Sequence, residues 1–272
     1  MAAASRPLAL PFRLPDPKPI PPKPVLLPTP PAVETSEEVR KLRAGLTASV
    51  AAKVLSATEL VRALAKERRE ESVPTTLAPL DSLLGGGLPR GKMVEIAGPA
   101  ARFSIVLATL ASATSMGEAA VLIDLGDHFD PQLAEADGVD LRRLLWVRPK
   151  TMKEAVLSVE KVAAAGFQLV VLDAGTPPLR GRRVGDAAWV RLARTAEAHG
   201  AVMLISTPYP LTGTASEAMV RTSRTRARWL GGKNGAPRLL AGTAVALTLE
   251  KHRHMRAGRG ETLILHAADG IQ

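Results

Sequence analysis

The sequence contains no cysteine, which excludes disulfides and thiolate metal sites and is typical of a reducing compartment. Aromatic residues make up only 3% of the chain, so the 46% of hydrophobic residues must build a mainly aliphatic core. No apolar run approaches the roughly 18 residues that a membrane helix needs. Prolines interrupt the first apolar stretch, which argues against a secretory signal. These absences predict a cytoplasmic protein with no membrane partner, and they leave association with the nucleoid open.

Positive charge is abundant and unevenly distributed. The net charge is +10, and residues 180–260 contain 15 lysines and arginines against 4 acidic residues. A positive region of this kind favours a polyanion or an acidic protein surface as partner. Alternatively, the positive charge belongs to a solvated basic surface of an arginine-rich sequence and binds no partner.

The chain divides into three predicted regions. Residues 1–34 contain 11 of the 22 prolines and predict an extended or disordered tail, either a passive leader or a docking segment. Residues 35–74 predict a short helical segment, because two Ser/Thr-x-x-Glu sequences have the spacing of a capping box. Residues 75–272 predict the core domain.

From residue 80 onward, short apolar segments alternate with segments of helical character. The apolar segments do not alternate with polar residues, which is typical of a parallel sheet covered by helices on both faces. The sequence therefore predicts an α/β fold with a mostly parallel sheet and late antiparallel strands. The predicted strands are 93–97, 119–124, 144–147, 169–173 and 201–206, followed by 226–230, 243–250 and 262–266. The predicted helices are 103–115, a short one from 131, 152–165 and 187–199.

A strand, a glycine and a helix occur in the order of a phosphate-binding loop, but the loop chemistry is altered. A working loop has the spacing G-x-x-x-x-G-K-[ST], whose lysine binds phosphates and whose hydroxyl binds magnesium. Counted from Gly98, these positions are Phe103, Ser104 and Ile105. The phenylalanine ring is expected to fill the phosphate space, and isoleucine offers no metal ligand. A shifted loop could use Arg102 and Ser104, and the helix N-terminus leaves weak anion binding open.

Several ordered segments resemble the core of the bacterial recombinase RecA. LDSLLGGGLPRGKMVEIAGP is similar to the sequence that leads into that family's phosphate loop, and LVVLDAG to its Walker B strand. The family's second strand, the acidic turn after it and the next strand are similar to VLIDLGDHFDPQLAEADGVDLRRLLWVRP. Its last core strands are similar to KHRHMRAGRGETLILHAADGI. The resemblance covers about residues 75–272. It implies a RecA-like fold with Asp173 in the Walker B position.

The resemblance also identifies departures from the family. The family's catalytic glutamate corresponds to Gly126, with Asp127 beside it as a poor substitute, and its Asn-Gln sensor corresponds to Ser206-Thr207. The phosphate-loop residues, the catalytic glutamate and the Asn-Gln sensor are all altered. Their loss predicts a protein that is not an enzyme and has no cofactor. The alternative is a weakly active ATPase acting on DNA, which would need ATP and magnesium. Its nucleotide-binding residues would be Gly98, Arg102, Ser104, Asp127 and Asp173.

Basic residues are the candidate partner contacts. Lys251 and Arg253 match a Lys-x-Lys pair that, in the resembling family, reaches the neighbour's nucleotide across a filament interface. They predict contact with a recombinase subunit, or simply an exposed basic strand end. Other arginines lie near the family's DNA-binding loops, here about 177–186 and 208–216, and residues 221, 224 and 228 would share one face of a helix. The candidate contacts to the DNA backbone are Arg180, Arg182, Arg183, Arg221, Arg224, Arg226 and Arg228.

A degenerate RecA-like chain of this size is similar to the ImuA family. The resemblance implies a non-catalytic adaptor in damage-induced (SOS) translesion synthesis and mutagenesis. It implies an ImuB-like polymerase homologue and an error-prone polymerase as partners, in addition to the RecA recombinase that Lys251 and Arg253 indicate. An SOS inhibitor of cell division is a further interpretation, although such chains are usually shorter. His252 and His254 are expected to be a solvated pair and not metal ligands.

Overall fold

The computed structural model describes residues 72–177, 179, 184–231 and 238–266. The predicted tail and nearly all of the predicted helical segment lie outside this range. The described residues form an eight-stranded mixed sheet with helices on both faces, together with a separate two-stranded sheet. The predicted α/β class with a mostly parallel sheet is therefore confirmed. None of the described helices is long and apolar enough to cross a membrane.

The described chain begins with a two-stranded sheet and a helix. Strand β1 (Ser72–Val73) pairs antiparallel with β2 (Leu88–Pro89), and helix α1 (Ala78–Leu84) lies between them in sequence. Asp81 of α1 accepts hydrogen bonds from the N–H and the hydroxyl of Thr75, which fixes the turn before the helix. Burial raises the pKa of Asp81, and the two Thr75 hydrogen bonds oppose that rise. The strand β1 falls within the segment for which helices were predicted.

The five strands on one side of the large sheet run parallel to one another. They are β3 (Met93–Ala97), β4 (Ala120–Asp124), β5 (Leu144–Val147), β6 (Leu169–Asp173) and β7 (Val202–Thr207). They lie in the order β3-β7-β6-β4-β5, with β5 at an edge. Strands β3, β4, β6 and β7 are buried along their whole length because helices cover both faces of the sheet.

Four further helices connect these strands. They are α2 (Arg102–Ser115), α3 (Pro131–Ala136), α4 (Met152–Ala164) and α5 (Asp186–His199). Asp130 caps α3 by accepting from two backbone N–H groups, and Thr151 caps α4 by accepting from one. Helices α1 and α2 contribute to one aliphatic core cluster, and α4 and α5 contribute to the other.

The last three strands extend the sheet on its other side. They are β8 (Ala218–Gly231), β9 (Arg238–His252) and β10 (Gly260–His266). Strand β8 is parallel to β3 and antiparallel to β9, and β9 is antiparallel to β10. Strand β8 is much longer than the predicted 226–230, and its bulges break the two-residue alternation by which a strand is predicted. The suggestion that residues 221, 224 and 228 share a helical face is therefore wrong.

Candidate functional site

The loop after β3 brings the predicted nucleotide residues to the carboxyl ends of the parallel strands, where open parallel sheets bind their ligands. Gly98 begins this loop with φ 144°, and its N–H donates to the carbonyl of Thr207 at 3.0 Å. A Cβ atom on Gly98 would lie 2.1 Å from the carbonyl oxygen of Thr222. Only glycine therefore fits where the chain leaves β3 beside β8.

Arg102, the first residue of α2, turns its side chain back into this loop. Its Nε donates to the carbonyl of Gly98 at 2.7 Å, and its Nη2 donates to the carbonyl of Gly175 at 2.8 Å. Its Nη1 donates to the hydroxyl of Ser206 at 2.9 Å and lies 3.3 Å from Oδ1 of Asp173. The side chain is only 9% exposed. The guanidinium thus occupies the space between the loop and the ends of β6 and β7.

Asp173 ends β6 and uses both carboxylate oxygens within the protein. Its Oδ1 accepts from the hydroxyl of Ser206 at 2.7 Å, and its Oδ2 lies 3.1 Å from Nδ1 of His128. Burial lowers the pKa of Arg102, and the charge of Asp173 and the hydrogen bond to it oppose that change. The aspartate in the Walker B position is therefore the acidic partner of a buried ion pair.

The three altered loop positions face three different environments. Phe103 is half-buried, packs against the aliphatic core and meets His128 edge to face at a centroid distance of 5.9 Å. Ser104 is exposed, and Ile105 is fully buried in the core. The side chain that turns into the loop is that of Arg102, and the filling of the phosphate space by the ring of Phe103 stays a prediction.

The turn after β4 differs from the expectation as well. Asp127 has φ 59°, and its carboxylate binds Arg148 with an Nη2–Oδ1 distance of 2.6 Å. The side chain of Asp127 is thus paired at the surface, and its substitution for the family's glutamate stays a prediction. A Cβ atom on Gly126 would lie 2.7 Å from Cα of Gly175 and 2.7 Å from Nδ1 of His128. The glutamate position thus has no room for a side chain in this conformation.

These contacts test whether the loop suits a magnesium–triphosphate. Such a loop needs backbone N–H groups and a lysine directed at the phosphates, with a hydroxyl on the metal. Here all the described hydrogen bonds of Arg102 go to protein oxygens, and the metal-ligand position is the core residue Ile105. Within the described ranges, no cluster of three or more histidine, aspartate or glutamate side chains could hold a metal ion. The loop as it stands does not fit the group.

Comparison with known proteins relates one part of the sequence to a family. Residues 52–179 match the family described as the RecA N-terminal domain. The protein named RecA from Gloeothece citriformis (strain PCC 7424) is 35% identical over 112 residues, which are 40% of this chain and 32% of that protein. The protein named RecA from Symbiobacterium thermophilum is 38% identical over 107 residues, or 38% of this chain and 31% of that protein. The match spans about a third of these relatives' length.

A solved structure extends the likeness along the chain. The crystal structure of the RadB recombinase has a TM-score of 0.52 and 23% identity, and the match covers 70% of this chain and 94% of that chain. At this identity the likeness concerns the fold. This chain has a RecA-like core. Arg102 and Asp173 both lie within residues 52–179, the part of the chain that matches the RecA N-terminal domain.

The predicted filament-interface pair of the RecA-like core lies at the opposite end of the sheet from Arg102. Lys251 donates through Nζ to the carbonyl of Gly213 at 2.8 Å and to the hydroxyl of Ser216 at 3.2 Å. Burial and the neighbouring Arg253 lower the pKa of Lys251, and nearby carboxylates oppose the change. Arg253 is exposed, with Nε 3.6 Å from Glu217. Of the two, Arg253 is the one that faces solvent.

The predicted DNA contacts of the RecA-like core separate into two groups. Arg180, Arg182 and Arg183 lie outside the described residues. The other four lie on β8 and are exposed, and Arg221 pairs with Glu250 of β9. The four arginines on β8 are Arg221, Arg224, Arg226 and Arg228.

Two further site residues were missed from the sequence. His128 reaches Asp173 because the turn after β4 brings it under the end of β6, and the only signal was its place in the acidic turn GDHFD. Glu95 is 1% exposed within β3, where its Oε1 accepts from Thr207 and Leu211 and its Oε2 accepts twice from Thr212. A glutamate inside an apolar strand, MVEIA, was the available signal for Glu95.

Proposed function

We propose that this RecA-like protein is a non-catalytic adaptor in damage-induced translesion synthesis and mutagenesis. The observation that carries the proposal is the side chain of Arg102, buried in the phosphate loop and bound to Asp173 and Ser206. This arginine supplies from within the positive charge that a phosphate loop directs at its ligand. The loop would then have a structural role, and the protein would act by binding partners at its surface.

The energetic argument concerns the ion pair. For a triphosphate to enter, Arg102 would have to leave Asp173, and Asp173 would stay buried without its cationic partner. Removing one partner of a buried ion pair costs about 3–5 kcal/mol. Ser104 stands where the loop needs a lysine, and Ile105 stands where it needs a hydroxyl for the metal. Nucleotide binding is therefore opposed by the packing of the site as well as by its composition.

The cellular role rests on the resemblance to the ImuA family. That resemblance names an ImuB-like polymerase homologue and an error-prone polymerase as partners. Arg253 supports contact with a recombinase, because it is exposed at an edge of the RecA-like core and matches the family's interface pair. Substituting Arg253→Glu is expected to weaken retention of the ATP-bound recombinase on the immobilised chain at least severalfold. Arg259→Glu, in the turn after β9, is the matched control, and equal retention by both variants would contradict this contact.

The test of the non-catalytic assignment is a titration with a fluorescent ATP analogue in magnesium, followed by a turnover assay. We expect no saturable binding at millimolar nucleotide and no hydrolysis above buffer. Arg102→Ala tests the role of the arginine itself, because it removes the guanidinium from the loop and leaves every other residue unchanged. Saturable binding by the unaltered chain that is lost in Asp173→Ala, or measurable turnover, would instead support the weakly active ATPase.

A further inference from the structure

A cavity of about 570 Å³ lies at the amino end of β3, whereas the altered phosphate loop follows the carboxyl end of that strand. Its apolar wall comes from the end of α1, from β2 and from the turn after β9, and includes Leu84, Pro89 and Met255. Sites for small organic molecules have volumes of roughly 300–1,000 Å³, mainly apolar walls and a few polar groups. The size and the wall of this cavity therefore suit a ring system.

Glu217, just before β8, lines the cavity with a buried carboxylate whose oxygens are poorly used. Its side chain is only 6% exposed. Its Oε1 lies 3.5 Å from Nε2 of His254 and its Oε2 lies 3.6 Å from Nε of Arg253, and no described residue donates a hydrogen bond to either oxygen. Buried polar groups are normally hydrogen-bonded, and a carboxylate has about four acceptor positions. Glu217 thus has acceptors available for a ligand that brings hydrogen-bond donors.

Two cations line the same cavity. Arg90 and Lys92 come just before β3, and each has a surface partner, Glu118 for Arg90 and Glu197 for Lys92. Both pairs are partly exposed, so replacing either carboxylate by an anionic group of a ligand costs little. The same cations, with the arginine beside Glu217, disfavour a ligand that brings a further positive charge. The cavity therefore suits a neutral N–H donor on a ligand that also has an anionic group.

We propose that this cavity binds a guanine nucleotide. Guanine is a neutral ring system whose N1–H and 2-amino groups are adjacent donors on one edge, and a carboxylate accepts from such an edge. The edge would bind Glu217, and the ring would pack against Leu84 and the polarizable thioether of Met255. The phosphate would lie at Arg90 or Lys92, where charge-assisted hydrogen bonds are strong.

Two other ligands fit the cavity less well. Adenine has an acceptor at N1, which would face the carboxylate of Glu217 and be repelled by it. A free amino acid would place its ammonium among the cations and would leave most of the volume empty. Guanine at the end of a nucleic acid strand has the same base and phosphate as the free nucleotide. The proposal does not depend on the adaptor function, because the phosphate loop lies at the other end of β3.

The test is isothermal titration calorimetry of the full chain with GMP, AMP, guanosine and a short oligothymidylate that ends in one guanine. GMP is expected to bind saturably in the millimolar range or below, and AMP at least tenfold more weakly. Guanosine should bind more weakly than GMP, because it has no phosphate. GMP should bind at least as tightly as the strand. Tighter binding of the strand would overturn the assignment to a free nucleotide.

Substitutions then test each contact. Glu217→Gln is expected to weaken GMP binding at least fivefold and to remove the preference over AMP, because the amide turns one acceptor into a donor. Glu261→Gln, exposed on β10 and outside the cavity, is the matched control. Arg90→Gln should weaken the binding of GMP and leave that of guanosine unchanged. Met255→Trp, which fills the cavity from a half-buried position, should abolish GMP binding and provides a second test if Glu217→Gln does not fold.

Several results would overturn the proposal. They are no GMP binding at about 10 mM, equal affinity for AMP, or a Glu217→Gln protein that binds GMP as tightly as Glu261→Gln. GMP binding that is lost in Asp173→Ala and kept in Glu217→Gln would also overturn it, since the nucleotide would then occupy the phosphate loop. That last result would contradict the adaptor proposal too, whereas the first three leave it unaffected.

Discussion

The guanidinium of Arg102 and the carboxylate of Asp173 form a buried ion pair, with Nη1 and Oδ1 3.3 Å apart. The pair connects the start of α2 to the end of β6, and Ser206 on β7 hydrogen-bonds both members. It therefore connects the loop with the ends of two strands, and we expect it to stabilise the fold.

The first prediction is that Arg102→Ala destabilises the protein by about 3–5 kcal/mol, because it leaves Asp173 charged and buried without its partner. Urea unfolding followed by circular dichroism measures the change. Adding Asp173→Asn to Arg102→Ala should recover part of the loss, since the uncompensated charge is then gone. Arg142→Ala, which removes an exposed pair with Asp140, should cost far less than Arg102→Ala. Equal costs for Arg102→Ala and Arg142→Ala would contradict the structural role.

The second prediction concerns the close contact between Gly126 and Gly175. Gly126→Ala places a Cβ atom 2.7 Å from the neighbouring Cα, so we expect destabilisation of about 1–3 kcal/mol. Gly185→Ala is the control, because a Cβ there meets nothing within 4 Å. Gly126→Glu should lower the melting temperature and produce no ATP hydrolysis. A Gly126→Ala protein as stable as Gly185→Ala would show that the turn accepts a side chain.

The sequence predicts the features that depend on a local residue pattern. It does not predict those that depend on contacts between segments far apart in the sequence. The run LVVLD predicts β6 because a buried parallel strand is apolar throughout, and the altered loop is apparent by counting from Gly98. The inward orientation of the Arg102 side chain cannot be predicted from the sequence. Its hydrogen-bond acceptors are on Gly175 and Ser206, which lie near Arg102 only in the folded sheet. Strand β8 was underestimated because its bulges break the two-residue period that identifies a strand.

The third prediction is that Glu95 holds the connection between β7 and β8. Glu95→Gln places an amide donor against a donor, either at Leu211 or at Thr212, because both carboxylate oxygens accept hydrogen bonds. We expect a loss of about 1–3 kcal/mol and faster amide hydrogen exchange at Leu211 and Thr212. Glu197→Gln, in an exposed pair with Lys92, is the control. Unchanged exchange at both amides would contradict this role for Glu95.

The fourth prediction is that the free energy of unfolding depends on pH because of His252. Burial lowers the pKa of His252 below its usual 6.5, His254 lowers it further, and Glu217 opposes the change. The N–H of His254 donates to Nδ1 of His252 at 3.1 Å, so the folded protein uses the unprotonated nitrogen as an acceptor. The unfolded chain therefore binds a proton more readily than the folded one at this residue.

The sign of the pH dependence comes from this difference. The free energy of unfolding should fall as pH decreases through 6.5 towards the lowered folded pKa, and be fully present above 6.5. Urea unfolding at pH 5.5 and 7.5 measures it, and His252→Asn should make the two values more similar than in the unaltered chain. His199→Gln, at the exposed end of α5, should leave the difference as it was. If His252→Asn keeps the full pH dependence, or an NMR titration places the pKa of His252 above 6.5, the loss of stability in acid must come from another group.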